Sequence, residues 1–219
     1  QKAQKNTKSG QKEGMPMKEL VEKILTALKE GTSLRKLTFG KEELVLLKNF
    51  QLLTLKPVLY VANVNESGFE NNPHMDLILE YAKKDHSKVV PICAEIEAEI
   101  CELSNDEKKE FLLEMGQNES GLDRLIKAGY DLLGLHTYFT AGEKEVKAWT
   151  ITVGDSAPVA AGKIHTDFEK GFIRAETISF QDYITYKGEK GAKDAGKLRT
   201  EGKDYVVKDG DIMHFLHNT

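Results

Sequence analysis

The sequence predicts an α/β fold with helices ahead of it and a small mixed α+β unit behind it. Three observations carry this. Two apolar runs, 58–62 and 89–94, enclose a stretch of helical spacing, which is the strand–helix–strand pattern of an open parallel sheet. Before Pro57 the apolar residues recur at intervals of three and four. Beyond residue 134 they alternate, as in half-buried strands.

Taken in order, Lys2, Lys5, Lys8 and Lys12 would share one side of a helix, although a frayed, solvated end is the plainer expectation. Pro16 suits a first helical turn, where its missing N–H has no partner to lose. Met17, Leu20, Val21, Ile24, Leu25 and Leu28 give that helix an apolar face, and Gly31 is a natural stop. A second helix is expected over residues 41–50, packed through Leu44 and Leu47.

The run Val58-Leu59-Tyr60-Val61-Ala62 is continuously apolar, so both faces are expected to be buried, as in the middle of a parallel sheet. A turn with Gly68 and Asn71-Asn72-Pro73 follows, then a helix with Leu77, Ile78, Tyr81 and Ala82 on one face. Pro91 argues that the second run lies at an edge or a strand end. Ser104 and Glu107 form a capping box, and Leu122, Leu125, Ile126, Gly129, Tyr130 and Leu133 mark another amphipathic helix. Trp149, Ile151 and Val153 then alternate in a strand, and residues 172–180 form another. Tyr205-Val206-Val207, Asp209-Gly210 and residues 212–215 read as a tight hairpin. A domain boundary is expected near residues 132–136.

Composition narrows the function. With 219 residues, 40% apolar and 30% charged, the chain is neither a disordered tail nor a disulfide scaffold. No run of 18 apolar residues exists to span a membrane, and the first residues lack the apolar core of a signal peptide. Cys93 and Cys101 read as free thiols of a cytoplasmic protein. A net charge of −4 argues against general nucleic-acid binding. Residues 95–119 carry nine acids against Lys108 and Lys109, the pattern of a solvated helix face. Lys187, Lys190, Lys193, Lys197, Arg199 and Lys203 lie among four glycines, Gly188, Gly191, Gly196 and Gly202. That stretch reads as a mobile basic loop, either plainly exposed or able to meet phosphates.

In open α/β sheets ligands lie beyond the carboxyl ends of the strands. The first buried run ends in Asn63-Val64-Asn65-Glu66 and the second in Cys93-Ala94-Glu95. GTPases place Asn-Lys-x-Asp at the first position, and its Asp accepts two hydrogen bonds from guanine. Here the Lys is absent and the Asp is replaced. A carboxylate aimed as in GTPases would face a lone pair on adenine, so altering it should remove the guanine preference. The Asn63 amide offers adenine both a donor and an acceptor, and backbone groups near Cys93 and Ala94 would contact the base from the other side. By itself the tetrapeptide is equally an Asn-rich turn after a strand.

Longer segments carry a resemblance. LTLKPVLYVANVNESGFENNP (53–73), VVPICAEIEAEI (89–100), LHTYFTAGEKEVKAWTI (135–151), IHTDFEKGFIRAE (164–176) and GKDYVVKDGDIMHF (202–215) are similar to the YchF-type Obg-like ATPases, a ribosome-binding group within the Obg branch of P-loop proteins. The likeness runs from about residue 15 to the end. It implies that residues 1–54 are the returning half of a helical, coiled-coil arm. It implies that 55–134 are the C-terminal part of the nucleotide-binding domain, and 135–219 a TGS domain, a ubiquitin-like β-grasp module. It also implies a base pocket of Asn63, Val64, Glu66, Cys93 and Ala94 in a protein that uses ATP and Mg²⁺ and acts with the ribosome in translation.

The phosphate machinery is missing. Gly191-Ala192-Lys193-Asp194-Ala195-Gly196-Lys197-Leu198 nearly matches a P-loop, but Leu198 offers Mg²⁺ no oxygen and no buried strand precedes it. The chain is therefore expected to be roughly the C-terminal three-fifths of a longer protein, by analogy with the family. Alone it should not hydrolyse ATP or bind nucleotide strongly. The strand 58–62 should expose an edge, so self-association or pairing with the missing half is expected. Three hypotheses stay open: a nucleotide-dependent ribosome regulator, a ribosome or rRNA interaction module acting through Lys187, Lys190, Lys193, Lys197 and Arg199, and a piece of a longer gene product. His165, Asp167 and Glu169 could share one face of a strand, where three ligands without a fourth argue for a structural or partner-binding role over a metal site. His214 and His217 are expected at the surface, and Trp149 in the core.

Overall fold

The computed structural model describes residues 14–142 and 144–218, so Lys2, Lys5, Lys8 and Lys12 lie outside the described residues. The chain divides into two compact units between Gly129 and Tyr130.

The first unit opens with α1 (Gly14–Lys29) and α2 (Lys41–Lys48). Leu20, Ile24 and Ala27, spaced four and three apart, pack with Leu34 and Leu47 into one apolar cluster. Each such buried leucine stabilises the fold by about 2 kcal/mol. The face is narrower than its sequence pattern: Leu25 and Leu28 are exposed, and Leu44 is exposed while Leu47 alone of the expected pair is buried. Gly31, at φ +72°, ends α1, and Thr32 N–H donates to Ala27 O across it.

A βαβ unit follows: β1 (Leu59–Asn63), α3 (Pro73–Lys84) and β2 (Lys88–Ile92). The strands pair in parallel, Ala62 opposite Pro91 and Asn63 opposite Ile92. They form a two-stranded sheet, which corrects the expectation of a strand buried on both faces. Ala62 is buried, but Val61, on the opposite face of the strand, is 45% exposed, and β1 is paired along one edge only among the described residues. Leu77 and Tyr81 of α3 are likewise exposed, and Ala82 is its buried residue.

The α1–α2 layer is pinned to this sheet by a buried carboxylate. Asp85 accepts from Arg35 Nη1 at 3.0 Å, Tyr60 Oη at 3.2 Å and Ser87 Oγ at 3.2 Å, and pairs with Lys36. Burial alone would push its carboxyl up. The Tyr60 hydroxyl, Arg35, Ser87 and Lys36 outweigh that and hold it below the usual value.

Two more helices, α4 (Ala94–Glu102) and α5 (Asn105–Glu114), close a second cluster of Cys93, Ile96, Ile100 and Leu112. Glu107 accepts from Ser104 N–H and Oγ, completing the expected capping box, and those bonds lower its carboxyl pKa. In α6 (Gly121–Leu133) the residues Leu122, Ile126, Tyr130 and Leu133 face solvent.

The second unit is one five-stranded sheet. β3 (Leu135–Ala141), β4 (Val146–Thr152), β5 (Phe172–Ser179), β6 (Arg199–Glu201) and β7 (Asp211–His217) lie in the order β4-β3-β7-β5-β6. The β3–β7 pair is parallel and the other pairs are antiparallel. α7 (Ala157–Ile164) lays Ala157, Ala160 and Ala161 against Tyr138, Ile151, Phe172, Ala175, Met213 and Phe215. Small side chains let that helix approach the sheet closely. Tyr138 Oη donates to Ala160 O at 2.8 Å. A register shift between Phe172 and Arg174 explains why Ile173 and Arg174 both face outward. Trp149 is half-buried and stacked on Tyr138, as a core role requires.

Three expectations in this unit are corrected. Tyr205-Val206-Val207 is not a hairpin strand: only Val206 makes an isolated bridge, to Ser156. The Asp211 carboxylate draws in Lys208 N–H and Tyr205 Oη at 2.9 and 2.7 Å, closing a turn in place of a ladder. His165, Asp167 and Glu169 do not share a strand face. His165 caps the short helix α8 (Thr166–Lys170), accepting from Asp167 N–H, and no cluster able to hold a metal occurs among the described residues. The basic stretch expected as a loop over 187–203 instead carries the helix α10 (Glu189–Asp194) and strand β6, and follows α9 (Phe180–Thr185).

Candidate functional site

The ends of β1 and β2 meet as the strand-end argument requires. Asn63 is the last residue of β1, and its Oδ1 accepts the backbone N–H of Ala94 at 3.1 Å. Val64 N–H donates to Ile92 O at 2.8 Å, so parallel pairing continues one step past the strand. Segments 31 residues apart are thus joined through a side chain and a backbone bond.

This geometry changes the part each residue can play. The sequence argument gave Asn63 both a donor and an acceptor for the base. Ala94 N–H takes one of the two lone pairs of Oδ1, so the oxygen keeps a second acceptor position and the Nδ2 amine remains a donor. The Ala94 N–H is itself used in that bond. Cys93 begins α4, its carbonyl accepts from Glu97 N–H, and its side chain is buried with Ile96 and Ile100. Val64 is half-buried, and Glu66 is exposed in a 3-10 turn, Glu66–Phe69.

Two residues without an assigned role in the sequence reading hold that turn. Asn72 Nδ2 donates to Gly68 O at 3.0 Å, while its Oδ1 accepts from His74 and Met75 N–H and caps α3. Gly68 is buried, and a Cβ there would lie 2.5 Å from Asn65 Oδ1 and 3.1 Å from Val64 Cβ. The Asn-Asn-Pro signal marked a turn and a helix start; nothing in it revealed the second bond. Beside the turn opens a cleft of about 590 Å³ lined by Glu66, Phe69, Pro91, Gln117 and Arg124 among others. Arg124 donates to Pro91 O and Gln117 Oε1, at 3.3 and 3.0 Å. Glu97 accepts from Gly121 and Leu122 N–H, tying α4 to the start of α6.

The basic candidates of the second unit separate into two groups. Lys187, Lys190, Lys193 and Lys197 are exposed; Lys190 and Lys193 lie on α10, and Lys197 stands 4.0 Å from Asp182. Arg199 is engaged within the fold, with Glu201 at 2.9 Å, Tyr205 Oη at 3.1 Å and Asp211 at 3.5 Å. Burial, then the Asp211 carboxylate, pushes the Tyr205 hydroxyl up to about 12. The near-match to a P-loop forms helix α10 and follows α9, so it has neither the strand nor the loop that cradles phosphate. Among the described residues no helix is long and apolar enough to cross a membrane.

Comparison with known proteins agrees with the segments quoted above. Residues 135–218 match the family described as YchF-GTPase_C, a protein of unknown function (DUF933). Ribosome-binding ATPase YchF of Escherichia coli O157:H7 is 58% identical over 217 residues, 99% of this chain and 60% of that protein. The Bacillus subtilis (strain 168) protein of the same name is 51% identical over 203 residues, 91% of this chain and 56% of that protein. The solved Schizosaccharomyces pombe YchF GTPase superposes with a TM-score of 0.82 at 34% identity, covering 94% of this chain and 56% of that one. The chain spans about three-fifths of the length of these curated relatives. Over its whole length the chain is homologous to the YchF proteins and shares their fold, and residues 135–218 match the YchF-GTPase_C model.

Proposed function

We propose that this chain is the base-recognising and ribosome-docking part of an ATP-binding, ATP-hydrolysing protein that works on the ribosome. The observation that carries it is the Asn63–Ala94 bond. It joins the two strand ends where a purine would lie and leaves the Asn63 amine as a donor toward that place. Relatives named ribosome-binding ATPase supply the partner and the reaction class. Asn63, Val64, Glu66, Cys93 and Ala94 form the base side of the pocket, with Cys93 contributing shape from the core rather than a polar contact. ATP phosphates and Mg²⁺ are held by groups outside this chain, so the chain by itself does not turn ATP over. The loss of guanine preference rests on Glu66, which stands where GTPases place their Asp, with Val64 in place of the Lys.

Of residues 1–54, the described ones from 14 onward serve as the returning half of a helical arm. The second unit serves as a TGS domain: counted within the unit, its strands run 2-1-5-3-4 with the first and last parallel, the order of a β-grasp. The unpaired edge of β1, with Val61 exposed, favours pairing with the rest of the nucleotide domain or with a second copy. Static light scattering across concentration tests that pairing, and a concentration-independent monomer rejects it.

Isothermal titration of the full-length gene product with ATP and GTP tests the function. Tighter ATP binding is expected; equal affinity or tighter GTP binding rejects the altered-motif argument. A second reading, a ribosome or rRNA docking module without a nucleotide role, is favoured by the four exposed lysines 187, 190, 193 and 197. Phosphate contacts predict ribosome co-sedimentation that weakens steeply with salt. Absence of pelleting at low salt removes it.

A further inference from the structure

We propose that Asn72 is a positioning residue for purine choice: its amide holds the Glu66–Phe69 turn, and with it Val64 and Glu66, against the strand end that carries Asn63. This rests on the base-site reading above and extends it to a residue that makes no contact with a base.

The side chain of Asn72 does two things at once. Its oxygen caps α3 through His74 and Met75 N–H, a task that Ser, Thr or Asp performs equally well. Its amine reaches back to Gly68 O at 3.0 Å; Asp has no donor there, and Ser or Thr would have to cap and donate through one oxygen on a shorter side chain. Asn therefore supplies more than capping requires. The target is well defined. Gly68 N–H already donates to Asn65 O at 2.9 Å, so the turn is closed from its own side and from the helix side. It is also tight, since any side chain at residue 68 would collide with Asn65 and crowd Val64. Between Val64, held by Ile92 O, and Asn72, both Glu66 and Glu70 are exposed carboxylates, and Glu66 is the one beside the strand end.

Holding the turn decides which purine that carboxylate favours. Guanine presents an N–H and an amine along its pairing edge, whereas adenine presents a bare ring nitrogen beside its amine. A carboxylate free to swing toward the ring nitrogen attracts guanine and repels adenine. A turn fixed by Asn72 denies it that movement, so selection against guanine depends on a bond formed away from the base.

The test separates the two tasks of Asn72. Asn72→Asp and Asn72→Ser both keep a capping oxygen and lose the amine that reaches Gly68. Both are made in the full-length gene product, and affinity for ATP and for GTP is titrated alongside wild type. The expected result is an ATP-to-GTP affinity ratio lowered about tenfold in both variants, the size of one lost hydrogen bond. Amide exchange should quicken at residues 65–69 while α3 and the melting temperature stay near wild type. Gly68→Ala should lower the ratio in the same direction. A wild type that prefers ATP, with variants that keep its ratio, overturns this inference and leaves the base-site reading standing. A wild type without preference overturns both. A fall in the ratio only together with loss of α3 protection assigns Asn72 a capping role and overturns the inference.

Discussion

The side-chain oxygen of Asn63 accepts the Ala94 N–H at 3.1 Å and so ties the end of β1 to the start of α4. One amide thereby serves the fold through its oxygen, while the proposed function gives its nitrogen a separate part. The two arms can be tested apart.

Asn63→Asp keeps an acceptor for Ala94 but removes the amine. Its stability should stay within about 0.5 kcal/mol of wild type. Purine nucleotide affinity of the full-length gene product should fall about tenfold, and ATP and GTP should suffer alike, because the lost donor faces an edge both purines share. Titration calorimetry beside a thermal melt checks both halves. A variant that binds as wild type does would exclude Asn63 from the pocket.

Asp85 predicts a pH dependence. Its folded pKa lies below the ordinary value of 3.8. Its contribution is therefore complete above that value and is lost as pH falls through the lower folded value. Asp85→Asn should cost about 1–3 kcal/mol at pH 7, because it weakens the bonds of Tyr60, Arg35 and Ser87. The gap to wild type should narrow below pH 3.8. Urea unfolding followed by circular dichroism at several pH values measures it; a constant gap contradicts the assignment.

The basic residues should divide by role. Replacing Lys187, Lys190, Lys193 and Lys197 with Gln should flatten the salt dependence of ribosome co-sedimentation and leave stability unchanged. Arg199→Ala should instead lower the melting temperature, since it strips a partner from buried Asp211. Parallel pelleting and melting experiments on both variants decide the matter.

Tyr138→Phe removes the buried bond to Ala160 O and should cost about 1 kcal/mol. The ring of Trp149 lies stacked on Tyr138, so tryptophan fluorescence reports unfolding of this unit directly.

Much of this was written in local pattern. Helical spacing in α1, the capping box at Ser104 and the alternation of β4 and β5 depend on neighbours within a few residues, and these elements stand where they were read. The strand ends were legible for the same reason: an Asn after one apolar run and Cys-Ala after the next mark the carboxyl edge of a parallel sheet. Other readings failed where distant contacts decide. Val61, Leu77 and Leu122 are apolar enough to be core, yet they are exposed, because burial depends on what packs opposite. Tyr205-Val206-Val207 has the composition of a strand, but the buried carboxylate of Asp211 claims its neighbourhood. The glycines between 188 and 202 suggested a loop, while the intervening residues complete a helical turn.

The order of elements and the likeness to YchF proteins follow from the sequence alone, since each is set by short-range periodicity or by long matching segments. The division of labour within the site belongs to the tertiary structure. Which atom of Asn63 meets Ala94 depends on a bond between groups 31 residues apart, while the Asn72 amine meets Gly68 four residues back and Arg199 meets partners two to twelve residues on, as the folded backbone places them. No local pattern encodes such bonds, because they form only when folding brings both partners to the same place.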